Sequence, residues 1–297
     1  MSKPTRQHTI ATAVAFQGIG LHSGIECNAV INPATAGDGI IFRRVDVADT
    51  ENQIAAAPER VVRARHGTTI ANASGVSVST IEHIMAALAL TNIDNAIIDV
   101  DGPEIPILDG SAAQFVQAIA EAGIAPLDAV RRMASVHEPV KVTDNDRSVS
   151  IEPYQGRRIE LEIEFDDCMI GRQHLSLDLD NPADLVKLAT ARTFCQLNEV
   201  EMLRAAGLIQ GGGLTNSLVV DGDRILNDGP LRDPAEFALH KALDLIGDLY
   251  LIGAPIEGLI RTKKPGHDLN TRAALALSRR VFNAAPAAGR DPLRASA

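Results

Sequence analysis

The chain has 297 residues, 45% apolar and 22% charged, the balance of a soluble globular protein with room for two domains or one large one. Its net charge of -10 excludes a broad nucleic-acid surface, which needs a basic footprint, although a few local cations would still serve an anionic small ligand. The absence of tryptophan and the 3% aromatic content leave little for stacking bases or sugars. No run of about 18 apolar residues offers a membrane span.

Cys27, Cys168 and Cys195 are odd in number and widely spaced, which argues against a disulfide framework or a cysteine zinc cluster. The first residues lack the apolar core of a signal peptide. A reduced, cytoplasmic setting and a monomer are expected.

In chain order, residues 9–17 and 25–31 alternate apolar and polar and read as strands, with a glycine-rich turn at 18–24 between them. Residues 39–45 form another strand, and 55–76 are less regular. His22 and His66 read there as polar loop residues. A helix is expected over 77–90, capped by Ser79 or Thr80, with Glu82 and His83 in its first turn. A strand at 95–101 leads through a turn-rich segment to a helix capped by Ser111 and ending at Gly123. Residues 125–132 read as a linker and set a boundary between domains 1–127 and 128–297.

The second half opens with alternating strands at 136–142, 147–152 and 158–165. Asn181 and Pro182 cap a short helix, and another covers 199–206, closed by Gly207. The three glycines 211–213 read as a flexible turn, because no Lys-Ser/Thr of a P-loop follows them. After a strand at 217–220, Asp233 as N-cap and Pro234 at the first position open a long helix to Asp248. A strand at 256–260 precedes a basic loop, 261–270, that opens the last helix; from Ala284 onward a mobile tail is expected. Strands grouped before helices in each half predict an α+β fold of two domains, helices packed against sheets.

The chemistry sits on the long helix. His240, Asp244 and Asp248 recur every four residues and share one face, and a histidine and a carboxylate one turn apart can converge on one metal ion. His83, opening another helix, is the best third ligand. Two histidines and a carboxylate suit catalytic zinc, and equally iron(II). Glu82, beside ligand His83, is the candidate general base. His267, in a Gly-His loop, is the candidate proton donor to a leaving group.

Five stretches resemble signature blocks of the UDP-3-O-acyl-N-acetylglucosamine deacetylases, the zinc amidases of lipid A synthesis. They are Ser79 to Leu88 (Ser-Thr-Ile-Glu-His-Ile-Met-Ala-Ala-Leu), Glu104 to Ala112 (Glu-Ile-Pro-Ile-Leu-Asp-Gly-Ser-Ala), Ala191 to Phe194 (Ala-Arg-Thr-Phe), His240 to Leu249 (His-Lys-Ala-Leu-Asp-Leu-Ile-Gly-Asp-Leu) and Gly266 to Asn270 (Gly-His-Asp-Leu-Asn). They come in the family's order and span most of the chain. The resemblance implies zinc held by His83, His240 and Asp244, Glu82 as base, and a protonated His267 oriented by Asp248. It also implies Thr193 as a hydrogen-bond donor to the oxyanion, Phe194 lining the site and Lys241 meeting an acylated UDP-sugar. Two similar domains with the active site between them, and an acyl-chain passage in an insert around 194–216, follow from the same likeness. The substrate's diphosphate needs cations, for which Lys241, Arg261, Lys263 and Lys264 are candidates; the last three also fit a solvated basic loop.

Some positions depart from that pattern. Leu239 stands where arginine is common, Pro265 and Asp268 flank His267 in place of serine and alanine, Thr215 replaces an acidic residue and Cys195 a glycine. None is a ligand or the base. They leave two rivals: a divergent deacetylase of another acylated nucleotide sugar, and an inactive relative that only binds.

Overall fold

The structure, a computed structural model, describes residues 6–48, 51–166 and 168–282. Among these the α-helices are α1 (Glu82–Leu90), α2 (Ala113–Ala122), α3 (Pro182–Thr190), α4 (Leu197–Ala205), α5 (Glu236–Tyr250) and α6 (His267–Val281). With its mixed sheets, the chain has the expected α+β class.

Two sheets share one topology. The first runs Val14–Ile19, Glu26–Pro33, Ala96–Val100, Ile40–Arg44, Gln53–Ala55; the second runs Val140–Asp144, Arg147–Glu152, Ile256–Lys263, Arg157–Phe165, Gly171–Asp178. In each, a hairpin lies antiparallel to the central strand, a fourth strand pairs with that central strand in parallel, and a fifth returns antiparallel. In each, one helix precedes the central strand and another follows it: α1 and α2, then α5 and α6. Strand alternation gives each sheet a covered face. Along Arg157–Phe165, Ile159, Leu161 and Ile163 are buried while the intervening glutamates reach outward.

α1 and α5 pack against each other at the centre. Every residue of α5 except Lys241 is buried, the pattern of a helix covered on all sides. Gly247 allows the close approach: a Cβ there would lie 2.0 Å from the carbonyl oxygen of Glu82. The crossing of the two helices therefore brings the first turn of α1 onto the His240/Asp244 face of α5.

Several element boundaries differ from the sequence expectations, for local reasons. α5 starts at Glu236, because Asp233 spends its caps on a preceding turn, accepting from Ala235 N through Oδ1 and from Glu236 N through its carbonyl. α1 starts at Glu82; Thr80 has φ +57, and its hydroxyl donates to Glu104 instead of capping. The expected linker is the strand Ile124–Val130, paired antiparallel with Arg6–Ile10. The edge strand Gly171–Asp178 has no sequence expectation; its first half is polar, and apolar alternation begins only at Leu175 and Leu177. The basic loop is short, since Ile256–Lys263 is one strand and α6 begins at His267. The tail from Ala284 lies outside the described residues.

Candidate active site

Helical spacing sets the site's foundation: His240, Asp244 and Asp248 stack on one face of α5, all buried. The Nδ1 of His240 is 3.1 Å from the carbonyl oxygen of Ala191, to which it donates, so Nε2 keeps its lone pair. That Nε2 lies 3.3 Å from Asp244 Oδ1, and His83 Nε2 lies 3.6 Å from the same oxygen. The two rings meet edge to face, 5.0 Å between centroids. Potential donor atoms of His83, His240 and Asp244 all lie within 4.8 Å of one another.

The residues fit a metal ion. Asp244 Oδ1 is buried without a hydrogen-bond partner, as is His83 Nδ1. A bare buried carboxylate oxygen is expensive, and a cation between it and the two imidazoles would remove that expense. Burial pushes the His240 imidazole down to about 3, so it is neutral, as a ligand must be. Burial would raise the carboxyl of Asp244, but His240 and Lys241 hold it well below the usual range. The Lys241 ammonium donates to Asp244 Oδ2 at 2.8 Å.

Glu82 and His267 flank the triad. Glu82 is buried, and its Oε2 accepts from Thr68 N at 2.9 Å. His267, the first residue of α6, donates from Nδ1 to Asp248 Oδ2 at 2.9 Å. Burial alone would lower its imidazole, but Asp248, Glu82 and Asp244 outweigh burial and push it up to about 9. It is therefore a cation at neutral pH. Asp248, fully buried, also accepts from Asn270 Nδ2 and Thr68 Oγ1.

The segment 191–194 is held from three sides. The buried carboxylate of Glu236 accepts from the backbone and guanidinium of Arg192. Thr193 N donates to the Gly110 carbonyl at 2.8 Å, and its own carbonyl accepts from Leu218 N. Gly110 has φ +81, and a Cβ there would lie 2.1 Å from the Asn216 carbonyl oxygen, so glycine is required beneath Thr193. The Phe194 ring stacks edge-on to Phe237 at 5.0 Å and to His240 at 6.3 Å, with Lys241 Nζ 5.3 Å from its centroid.

These groups open onto one cavity of about 800 Å³. Val200, Leu203, Ile209, Leu214, Val219 and Leu226 give it an apolar wall, and Thr193, Phe194, Cys195 and Lys241 also line it. Lys264 does not: its ammonium pairs with Asp146 and Glu164, which raise its pKa. Arg261 and Lys263 line a separate groove on the second sheet, where Arg261 pairs with Glu152 and Glu160. The arginines lining the main cavity are Arg65, Arg147 and Arg204, none of which carries a sequence signal.

His22 and His66, expected as loop residues, both line the cavity. The His22 ring is built in: Nε2 donates to the His66 carbonyl at 2.6 Å, and Nδ1 faces the Ile209 N–H at 3.4 Å. Glu104 fixes the same turn by accepting from His22 N and Ser23 N. The departures matter less than their positions in the motifs suggest. Leu239 lies in the core, and Asp268 is paired with Arg147 at 2.8 Å. Cys195 and Asp268 are the departures that reach the cavity wall, the Cys195 thiol pushed up by burial and Glu199.

Residues 7–279 match the family model described as UDP-3-O-acyl N-acetylglycosamine deacetylase. The chain is 46% identical over 274 residues to the UDP-3-O-acyl-N-acetylglucosamine deacetylase of Phenylobacterium zucineum, covering 92% of this chain and 94% of that protein. It is 43% identical to the protein of that name from Acidithiobacillus ferrooxidans, over 92% of this chain and 90% of the relative. To that of Colwellia psychrerythraea it is 41% identical, over 93% and 90%.

Proposed function

The chain belongs to the UDP-3-O-acyl-N-acetylglucosamine deacetylase family and is an amide hydrolase of lipid A biosynthesis, and from that premise we propose how its own residues cleave the acetamide of UDP-3-O-acyl-N-acetylglucosamine. The observation that carries the reading is the partnerless Asp244 Oδ1, facing the Nε2 atoms of both histidines, with Glu82 and His267 beside it. A zinc ion held by His83, His240 and Asp244 would supply Lewis acidity to water and to the acetamide carbonyl, and iron(II) suits the same donors.

The protein groups then divide the proton work. Glu82 takes the proton of the attacking water as the new C–O bond forms. The charge that develops on the carbonyl oxygen is met by the Thr193 hydroxyl and by cationic His267. His267 gives its Nε2 proton to the amine as the C–N bond breaks, leaving acetate and UDP-3-O-acyl-glucosamine, with the water proton held on Glu82. Asp248 keeps the His267 ring charged and turned so that Nε2 faces the cavity. The apolar wall, with Phe194, takes the acyl chain, and Lys241 meets the polar head. For the diphosphate Arg147 is better placed than Lys264 because it lines the cavity; both side chains are paired with carboxylates, Arg147 with Asp144 and Asp268, Lys264 with Asp146 and Glu164.

The repeated sheet topology supports two domains with the site between them and the acyl passage in the insert around 194–216, although a boundary at 127/128 falls within the strand Ile124–Val130 that pairs with Arg6–Ile10. Every group invoked comes from one chain, so a monomer suffices. Among the described residues no helix is long and apolar enough to cross a membrane. A nucleotide-sugar substrate and three free cysteines favour the cytoplasm.

The test is acetate release by the purified protein from the 3-O-acylated nucleotide sugar and its unacylated counterpart. Release should require the acyl group, stop when a strong chelator strips the metal, and return with zinc. Undiminished release from metal-free protein would overturn the reading.

A further inference from the structure

We infer that Thr68 is a positioning residue that ties the base Glu82 to the acid His267. The inference rests on the roles just proposed for those two residues. Thr68 is fully buried, just before the short strand Thr69–Ala71. It touches both halves of the proton machinery with different atoms. Its backbone N–H donates to Glu82 Oε2 at 2.9 Å. Its hydroxyl donates to Asp248 Oδ1 at 2.5 Å, and the other oxygen of that carboxylate accepts from His267 Nδ1 at 2.9 Å. Its carbonyl accepts from Ile81 N at the start of α1, so the residue is also fixed to the helix that carries Glu82.

The chemistry of the two contacts differs. The backbone contact occupies Oε2 of Glu82 and leaves Oε1 for the substrate water. Gly67, at φ +150, keeps the space beside that oxygen clear, since a Cβ there would lie 3.3 Å from Oε1. The hydroxyl contact is the partner shown for Asp248 Oδ1, a carboxylate that is 0% exposed. Without that donor the buried oxygen is bare, and the carboxylate gains by rotating toward any other donor. Rotation draws Oδ2 away from Nδ1 and lets the His267 ring swing from its aim at the substrate. Asn270, the remaining donor on Oδ2, cannot prevent this, because it does not hold Oδ1.

Thr68→Val keeps shape and backbone N–H and deletes the hydroxyl. Loss of one hydrogen bond to a buried charge should lower kcat about 10- to 100-fold. KM should stay within about threefold of the parent value, because no substrate contact is lost. Metal content and thermal midpoint are measured beside the kinetics, and Thr68→Ala replaces the valine variant if that one does not fold. Thr68→Ser, which restores the donor, should recover most of the turnover. The decisive measurement is the cycle with His267→Ala. If Thr68 acts through Asp248 and His267, Thr68→Val should cost less than about threefold in that background. An equal loss in both backgrounds, or a folded hydroxyl-free variant with parental kcat, would overturn the inference. Parental activity of His267→Ala itself would instead overturn the underlying assignment of the acid, which separates the two failures.

Discussion

Gly247→Ala tests whether the crossing of α1 and α5 sets the active site. Two effects oppose each other. Replacing a mid-helix glycine by alanine should stabilise an isolated helix by about 1 kcal/mol. Here the new Cβ would lie 2.0 Å from the Glu82 carbonyl oxygen, 2.8 Å from its carbon and 3.1 Å from its Cα. Ordinary contact needs about 3.5 Å, so the helices must part by about 1 Å or more at that point. The obstacle is backbone inside a helix, so no side chain can swing away, and overpacking of this kind costs about 1–3 kcal/mol. With backbone as the obstacle the clash should win, leaving a net loss of up to about 2 kcal/mol in urea unfolding of the metal-free protein. The functional loss should be larger. Glu82 and His83 ride on α1 while His240 and Asp244 ride on α5, and a 1 Å misplacement of reacting groups is worth about 100-fold in rate. Metal affinity should fall with it. A variant that binds zinc like the parent and keeps its kcat would show that the close approach at Gly247 does not set the geometry, and the account of the site as a product of helix crossing would fail.

Other outcomes follow from the same geometry. Glu82→Gln should keep the metal and lower kcat about 100- to 10,000-fold, measured by acetate release against metal content. Activity should have an alkaline limb from His267, whose imidazole is pushed up to about 9 by Asp248, Glu82 and Asp244 against the effect of burial. A divalent cation at the triad repels the imidazolium, so the limb in the loaded enzyme lies at or below about 9, and His267→Ala should remove it along with most of the turnover. For stability the sign is that of a raised cation: the contribution of His267 is fully present below its ordinary 6.5 and is lost as pH rises through about 9, which unfolding measured across that window would check. Arg147→Ala should raise KM for the nucleotide sugar more than Lys264→Ala does, since Arg147 lines the cavity and Lys264 is held by Asp146 and Glu164 outside it.

The parts of the site that could be read in the sequence are those whose geometry is local. His240, Asp244 and Asp248 share a face because the helix repeat puts them there, and any buried helix with that spacing would do the same. His83 could be paired with them only through the order of motifs, because nothing in the spacing from 83 to 240 states a distance. What brings them together is Gly247, a residue with no chemistry of its own and no signal apart from the structure. His22 is the converse case. It lies in a glycine-rich turn that favours a solvent-exposed reading, yet the turn is held by the buried Glu104 carboxylate and by backbone bonds from Gln210 and Gly211 to the carbonyls of His22 and Leu21. Three of the four candidate cations lie away from the cavity for a different reason. Arg261, Lys263 and Lys264 look alike along the chain, but strand alternation sends Arg261 and Lys263 to the open face of the sheet, and Lys264 turns back at φ +50 to reach its two carboxylates.

The repeated topology explains why the chemistry sits where it does. In each sheet the central strand is preceded by one buried helix, so each half presents an equivalent helix to the other. Those helices, α1 and α5, have almost no exposed surface and can be buried only against each other and their own sheets. A polar group placed at their crossing is therefore taken out of water by the assembly of the two halves, without any dedicated pocket. Such a group must find a partner there or be lost to desolvation cost. The crossing holds two imidazoles, three carboxylates and one imidazolium whose hydrogen bonds nearly close on themselves: Asp248 is filled by Thr68, Asn270 and His267, Glu82 by Thr68, and Asp244 Oδ2 by Lys241. Asn270 Oδ1 and Asp244 Oδ1 are buried there without a partner, and Asp244 Oδ1 is the one that faces the Nε2 atoms of His83 and His240. The packing that makes the crossing dry also makes an unfilled Oδ1 costly, so a cation bound there should stabilise the junction between the halves as well as serve the reaction.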